Sequence, residues 1–388
     1  MNEDHLDFTR TGPGTLAGKY LRRFWQPVSR ARDLAPGQAR PIQVMSEKFT
    51  LYRGEEGAPH LVDFRCAHRG TQLSTGWVEG DCIRCLYHGW KYDGSGQCVE
   101  QPGEDAGFAP KIKIRSYPVR EYLGLLFAYL GEGEPPELRR FPDFERPFYF
   151  EVGSVESWPC NYFNRMENDP AHVPWVHRES LIRNGRQERL AVRSVAAEET
   201  EYGVRAGSSV PGKPVEYVHY HMPNSTQTRS RARVEGSRAD AATLWADRLF
   251  FHVPIDDESN HTYVLDLIHL TGAEAEAYAE RRRQAQPAEA AVLNDMAEQV
   301  LAGKTRIKDM DQDLSAYKLF WVEDYSSLVG QGAIPNREAD HLGRGDAHVI
   351  LVRNIWRREL AALREGMPLK EWRTPAGLAD MSLVVAGA

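Results

Sequence analysis

The 388-residue sequence predicts an α+β protein. It reads as a helical segment over residues 1–40, a small all-β domain over 41–135, and a larger domain over 136–388 in which helices wrap an antiparallel sheet. Three observations carry this. Up to about residue 130 the apolar residues come in short runs split by glycine-bearing turns, the pattern of strands and hairpins. Residues 131–147, GEGEPPELRRFPDFERP, concentrate proline and charge as a linker does. Beyond them strand-like runs give way to long stretches of helical periodicity, and strands followed by helices make an α+β domain.

The first element is a short amphipathic helix. It follows the turn Thr11-Gly-Pro-Gly14, and Leu16, Tyr20, Leu21, Phe24 and Trp25 recur mostly at three- and four-residue spacing. Phe49–Tyr52 and Leu61–Phe64 read as antiparallel strands around the turn Arg53–Gly57, and Ile112–Pro118 and Leu123–Tyr129 as two more. In the larger domain the strand-like runs are 148–152, 202–206, 215–221, 228–234, 249–253 and 262–269. Helical stretches cover 273–283, 288–301, 314–329 and 347–364, with Asp311 and Asp313 expected to cap the third of these.

Composition narrows the function. Lys plus Arg number 48 and Asp plus Glu 55, for a net charge of −7, which argues against a nucleic-acid partner. The first ten residues, MNEDHLDFTR, are acidic and lack an apolar run, and no stretch elsewhere is long and apolar enough to span a bilayer. The expectation is a cytoplasmic protein. Five cysteines, at 66, 82, 85, 98 and 160, are too few and too clustered for a disulfide framework, and a reducing compartment keeps thiolates available for metals.

The chemistry concentrates in Cys66–Trp90, CAHRGTQLSTGWVEGDCIRCLYHGW. Cys66-Ala-His68 and Cys85-Leu-Tyr-His88 each join a thiolate to an imidazole, a donor set for zinc or an iron–sulfur cluster and a poor one for hard cations. Members of a pair so close in sequence reach one metal only from a tight turn, so two glycine-rich loops pinched together are expected. A zinc site would take Cys66, His68, Cys82 and Cys85 and leave His88 unused. Cys-x-His paired with Cys-x2-His resembles instead the Rieske signature, and the likeness extends over about 45–130, including His68-Arg-Gly70 and Tyr87-His-Gly-Trp90. The resemblance implies a [2Fe–2S] cluster with Cys66 and Cys85 on one iron and His68 and His88 on the other.

A second histidine pair lies in 161–177, NYFNRMENDPAHVPWVH. Asp169-Pro170 has the form of a helix start. His172 and His177, five residues apart, would sit about 140° from each other on an ideal helix. Pro174 lies between them and removes a backbone donor, so a bent or widened turn there could bring both to one metal. By themselves the two are equally readable as core residues. Behind a Rieske-like segment, however, the stretch resembles the Asp-x2-His-x4-His motif of Rieske non-haem iron oxygenases. That implies a mononuclear Fe(II) on His172 and His177, with Asp169 bridging between the two metal centres.

A third, carboxylate ligand is sought in 314–329. Asp324 shares a helix face with Tyr317, Phe320, Trp321 and Leu328, and a carboxylate on an apolar stripe must be paired or coordinated. Glu323 is the alternative, pointing about 100° away toward a more polar face. The text from Gly330, GQGAIPNREADHLGRGDAHVILVR, resembles the C-terminal region of phthalate-dioxygenase-like oxygenases, in which an aspartate shortly before this point is the ligand.

The resemblance implies a terminal oxygenase with a helix-grip catalytic domain, assembled as a homotrimer. It would be fed electrons by a separate NAD(P)H-dependent reductase, directly or through a ferredoxin. No Gly-x-Gly-x2-Gly nucleotide motif occurs in this chain, consistent with an external reductase. The implied substrates are O2 and an aromatic, carboxylated compound undergoing O-demethylation or hydroxylation, as with lignin-derived acids, or alternatively ring cis-dihydroxylation. Arg178, Arg183 and Arg186 are candidates to hold a substrate carboxylate, although arginines so placed more often serve surface contacts. His219 and His221, on one face of a strand, read as pocket or core residues. The rival from another class is a zinc-binding interaction module; an electron carrier alone would need little beyond residues 40–130.

Overall fold

The computed structural model describes residues 7–105, 107–153, 155–168, 174–231, 245–284, 290–311, 314–375 and 377–378. The chain forms two compact units. The first is Met1–Arg139 together with Val253–Asp257, and the second is Arg140–His252 with Glu258–Ala388.

The first unit opens with α1 (Leu16–Leu21), whose N-cap Thr15 accepts the backbone N–H of Gly18 through its side chain. Three small sheets follow. Strand β1 (Gln26–Arg30) pairs with β11 (Leu125–Ala128), which pairs with β10 (Val119–Tyr122). A second sheet runs β2 (Ala39–Val44), β3 (Glu47–Arg53), β4 (Pro59–Asp63), β9 (Ser116–Tyr117). The third, β5 (Trp77–Glu79), β6 (Cys82–Arg84), β7 (Lys91–Tyr92), β8 (Cys98–Glu100), leads into and out of the cysteine loops. The core beneath those loops contains Tyr52, Val62, Leu73, Ile83, Trp90, Tyr92 and Ile114, with Cys66 and Cys85 among them.

Between β2 and β3 the two turn residues Met45 and Ser46 both adopt positive φ, 49° and 64°. A two-residue hairpin favours this backbone, but it is ordinarily supplied by Asn-Gly, because side chains crowd it. Here the turn amides are taken up by a segment distant in sequence: Met45 N–H donates to Pro254 O at 2.8 Å and Ser46 N–H to Ile255 O at 2.9 Å. The returning segment Val253–Asp257 also takes the N–H of Thr11 on the Asp257 carboxylate, at 2.8 Å.

The second unit is built on an eight-stranded sheet. Its path is β12 (Tyr149–Val152), β19 (Asn260–Ile268), β18 (Trp245–Pro254), β17 (Ser225–Arg231), β16 (Glu216–His221), β15 (Gly203–Ser209), β14 (Ser194–Glu199), with β13 (Glu156–Trp158) also on β19. The paired strands run antiparallel. The helices are α2 (Tyr162–Glu167), α3 (Arg178–Arg183), α4 (Gly272–Gln284), α5 (Ala290–Leu301), α6 (Ala316–Val329) and α7 (Ala347–Arg364). Helix α7 lies on β14 and β15, while α6 packs against α5 and α3.

Helix α6 is apolar over most of its circumference: Leu319, Trp321, Val322, Tyr325 and Leu328 are all buried, in a core shared with Trp158, Leu293 and Ala297. Tyr325 Oη donates to Glu298 at 2.6 Å and Trp321 Nε1 to Asn294 at 2.8 Å, which ties α6 to α5 and fixes its rotation. Its N-cap is Ser315, whose hydroxyl accepts Lys318 N–H, and not Asp311, which contributes its carbonyl to Arg183; Asp313 lies outside the described residues. No helix among the described residues is long and apolar enough to cross a membrane.

Candidate metal centres

The two Cys/His loops have the same backbone. In the first, Cys66 N–H donates to Thr71 O and Gly70 N–H to Cys66 O; in the second, Cys85 N–H donates to Trp90 O and Gly89 N–H to Cys85 O, all at 2.8–3.1 Å. Gly70 and Gly89 close the loops with φ of 74° and 73°, a conformation open to glycine at little cost. Each loop puts its cysteine inward and its histidine toward the tip. At Gly76, a Cβ would sit 1.8 Å from the carbonyl oxygen of Arg84, so glycine there lets the strand entering the second loop lie against the first.

The loops bring the two histidines beside each other, and the two cysteines likewise. The rings of His68 and His88 are 4.6 Å apart, and His68 stacks on Trp90 at 4.5 Å and 11°. Nδ1 of His68 is buried without a hydrogen-bond partner among the described residues. Burial pushes the Cys66 thiol up, and the adjacent Cys85 thiol adds to that, while a hydrogen bond from Tyr92 opposes it. Cys82 is elsewhere. It stands on β6 opposite Glu79, half-buried and outside the buried core cluster that holds Cys66 and Cys85. A zinc site needing Cys82 beside the other two is therefore disfavoured. Leu86 and Tyr87, between Cys85 and His88, stand 50% and 55% exposed at the loop tip.

In the second unit, Asp169 and His172 lie outside the described residues. His177 ends a 3₁₀ turn, Pro174–His177, that runs into α3. Nε2 of His177 faces Asp324 Oδ1 at 3.4 Å, and Nδ1 faces Glu323 Oε2 at 3.3 Å. Phe320 covers the ring, centroid to centroid 4.1 Å. Asn168, the C-cap of α2, donates its amide to Asp324 Oδ1 at 3.3 Å.

Glu323 departs from expectation. Instead of a polar face it occupies a closed one, 1% exposed, where Oε1 accepts the backbone N–H groups of Glu179 and Ser180 at 3.1 Å each and Oε2 accepts the Ser180 hydroxyl. The expectation failed because it treated one stripe of α6 as the buried one, whereas α3 and the turn before it bury a second. Asn168 and Ser180 were missed altogether: each is an ordinary capping or helix residue in local sequence, and only the fold places it here.

The end of α2 is anchored by charge. Glu167 accepts Arg337 Nε at 3.1 Å and Arg353 Nε at 2.5 Å, and Arg353 continues to Asp340 at 2.8 Å. Asn164 adds its own bonds to the carbonyls of Leu328 and Gly332. The segment after α6 and helix α7 thus hold α2 where Asn168 can reach Asp324.

Of the three arginines, Arg183 is committed to structure. It pairs with Glu179 and donates to the carbonyls of Asp311, Ile307 and Met310 at 2.8–3.3 Å. Arg178 is half exposed and Arg186 exposed. His219 and His221 are core residues: His219 bonds the Tyr202 hydroxyl at 2.8 Å and His221 bonds Gln227 at 3.0 Å. Burial, with Arg205 nearby, pushes His219 down to about 3, so it stays neutral.

Residues 24–118 match the Rieske [2Fe-2S] domain family. Across nearly the full length the chain is similar to the oxygenase subunit of 5,5'-dehydrodivanillate O-demethylase from a Sphingobium species, 29% identical over 94% of this chain and 81% of that one. It is also similar to the alpha subunit of phenoxybenzoate dioxygenase from Ectopseudomonas oleovorans, 29% identical over 91% of this chain and 84% of the relative. Among solved structures, NdmA of Pseudomonas putida shares the fold, with a TM-score of 0.66 at 17% identity over 92% of this chain and 94% of that one.

A Rieske iron–sulfur domain joined to a helix-covered antiparallel sheet defines the class: an oxidoreductase with a cluster in one unit and a catalytic site in the other. The chain carries a Rieske [2Fe–2S] domain and is similar across most of its length to oxygenase subunits, so the enzyme is a Rieske-type oxygenase. Its cofactors are the Rieske [2Fe–2S] cluster and a mononuclear iron.

Proposed function

We propose that Cys66, His68, Cys85 and His88 hold the cluster, that His172, His177 and Asp324 hold the mononuclear iron, and that the substrate is a methoxylated or otherwise oxygenated aromatic acid. The observation that carries the iron site is the approach of His177 Nε2 to Asp324 at 3.4 Å. With Nδ1 turned to Glu323, the other ring nitrogen presents its lone pair to a carboxylate, and two acceptors so placed call for a cation between them. The donor set of two imidazoles and one carboxylate is that of a facial triad, which leaves positions for O2 and substrate. The cluster site fits equally: two buried thiols side by side, two adjacent imidazoles, and a buried His68 Nδ1 with no partner among the described residues.

When bound, the cluster supplies single electrons and the mononuclear iron supplies O2 activation. The protein's own part is positional. Asn168 steadies the Asp324 carboxylate through its amide, and Phe320 shields the His177 ring. In this scheme Asp169 would link the centres, accepting hydrogen bonds from a cluster histidine of a neighbouring subunit and from His172 of its own. The scheme includes a homotrimer and a separate NAD(P)H-dependent reductase, with or without a ferredoxin, in a reducing cytoplasm.

O-demethylation is favoured because the dehydrodivanillate O-demethylase subunit is similar over 94% of the chain. Ring cis-dihydroxylation is the second reading, supported by the likeness to a phenoxybenzoate dioxygenase subunit. The test is O2 uptake with a surrogate reductase across methoxylated and carboxylated aromatics. Formaldehyde release in step with O2 supports demethylation, a cis-diol product supports the second reading, and iron-replete protein that consumes no O2 with any aromatic overturns both. Asp169→Asn should keep both metals while product formation falls severely; full turnover with both sites filled would remove Asp169 from the scheme.

A further inference from the structure

We infer that Glu323 is a positioning residue for the iron site: it fixes the ring of His177 so that Nε2 is aimed at the position shared with Asp324. The inference rests on the proposed assignment of His177 and Asp324 as iron ligands. Adjacent residues of one helix divide the work, Glu323 on the far nitrogen of the imidazole and Asp324 on the near one.

The geometry assigns these roles asymmetrically. Glu323 Oε1 is taken by two backbone N–H groups, from Glu179 and Ser180, and Oε2 by the Ser180 hydroxyl and His177 Nδ1. Both oxygens are thus occupied by donors from the segment that carries His177, and the side chain is 1% exposed. A carboxylate so saturated has no orientation left in which to bind a metal. Asp324 has a single donor among the bonds described, the Asn168 amide, and its side chain is 19% exposed. Holding Nδ1–H on a carboxylate fixes the tautomer, leaves the Nε2 lone pair free, and sets the ring plane. Ser180 has a second-order part, since its hydroxyl locks the Glu323 rotamer. The contact also ties the turn Pro174–His177 to α6, elements more than a hundred residues apart in the chain.

The test uses the full-length protein with its cluster in place, the mononuclear iron removed by chelation and Fe(II) added back. Glu323→Gln, Glu323→Ala, Ser180→Ala and His177→Ala are compared by Fe(II) affinity and by the electron paramagnetic resonance of the ferrous site with nitric oxide, with visible absorbance and acid-labile sulfide tracking the cluster. Glu323→Gln should weaken Fe(II) binding roughly 10-fold and Glu323→Ala roughly 100-fold, with altered rhombicity of the nitric oxide signal and an unchanged cluster spectrum. Ser180→Ala should move both readouts in the same direction by less. Wild-type affinity and an unaltered signal in both Glu323→Gln and Ser180→Ala would overturn the inference. So would loss of iron in Glu323→Gln as complete as in His177→Ala, which would make Glu323 a ligand. If Glu323→Ala fails to fold, the Gln and Ser180 variants decide. Iron retained by His177→Ala would instead sink the underlying ligand assignment, an outcome distinct from the others.

Discussion

The hydroxyl of Tyr92 lies 3.2 Å from the sulfur of Cys66 and 3.2 Å from the backbone nitrogen of Ala67. Because it accepts from Ala67, its own proton is free to point at the sulfur. A hydrogen bond to a cluster thiolate favours the more electron-rich, reduced state. With Cys66 as a cluster ligand, Tyr92→Phe should lower the midpoint potential by roughly 60 mV, the one-electron equivalent of about 1.4 kcal/mol. Redox titration of the visible spectrum measures this, and an unchanged potential would show that the proton points elsewhere.

Gly76→Ala should prevent the cysteine loops from closing. The added carbon would stand 1.8 Å from the Arg84 carbonyl oxygen, and this is backbone against backbone, with no flexible side chain to yield. The expected result is protein with little visible colour and sulfide well below wild type. Normal cluster content would mean that β6 can shift to make room.

Arg183→Ala should cost about 2–3 kcal/mol of stability, because one guanidinium serves the carbonyls of Asp311, Ile307 and Met310 as well as Glu179. Arg178→Ala, at a half-exposed position, should stay within about 0.5 kcal/mol. Urea unfolding midpoints compare the two. Equal effects would remove the structural role assigned to Arg183.

Glu199 gives a pH-dependent test. Arg358 meets both of its oxygens at 2.9 Å and Lys370 one of them at 2.7 Å. Arg358 first and Lys370 next hold this carboxyl down at about 2 from an ordinary value of 4.5, against the opposing effect of burial. A depressed carboxyl contributes stability above its unfolded pKa and loses it as pH falls through the folded one, so the window is about pH 4.5 down to 2. Discounted for partial exposure, Glu199→Gln should remove about 1 kcal/mol at pH 7 and flatten the stability curve in that window. Parallel wild-type and variant curves would refute it.

Local pattern was enough for much of the second unit. The helical stretches at 273–283, 288–301 and 347–364 correspond to α4, α5 and α7. Helices α5 and α7 bury one face as their apolar spacing announces, whereas α4, mostly exposed with Tyr278 turned inward, follows the helix propensity of its Ala, Glu and Arg residues. Strand β14, Ser194–Glu199, was not legible: SVAAEE is polar, alternates weakly, and is a strand only because β15 offers it an edge. The shared loop geometry of Cys66-x-His68 and Cys85-x2-His88 was legible because both halves of each pair lie within one turn of chain. Glu323 could not, because its partners come from α3 and the preceding turn, and a helical wheel says nothing of what packs against its second face. The same holds for Asn168, which is a plain C-cap until α6 supplies Asp324.

The Met45–Ser46 turn carries a practical consequence for any attempt to excise or exchange the cluster-bearing half. Its left-handed residues are steadied by carbonyls from Pro254 and Ile255, which the ribosome delivers some two hundred positions later. A gene fragment ending at Arg139 would encode every cluster-loop residue, yet leave the amides of Met45, Ser46 and Thr11 without those acceptors. Such a truncation should be coaxed into soluble form only by replacing Met45-Ser46 with Asn-Gly, whose backbone adopts that bend unaided.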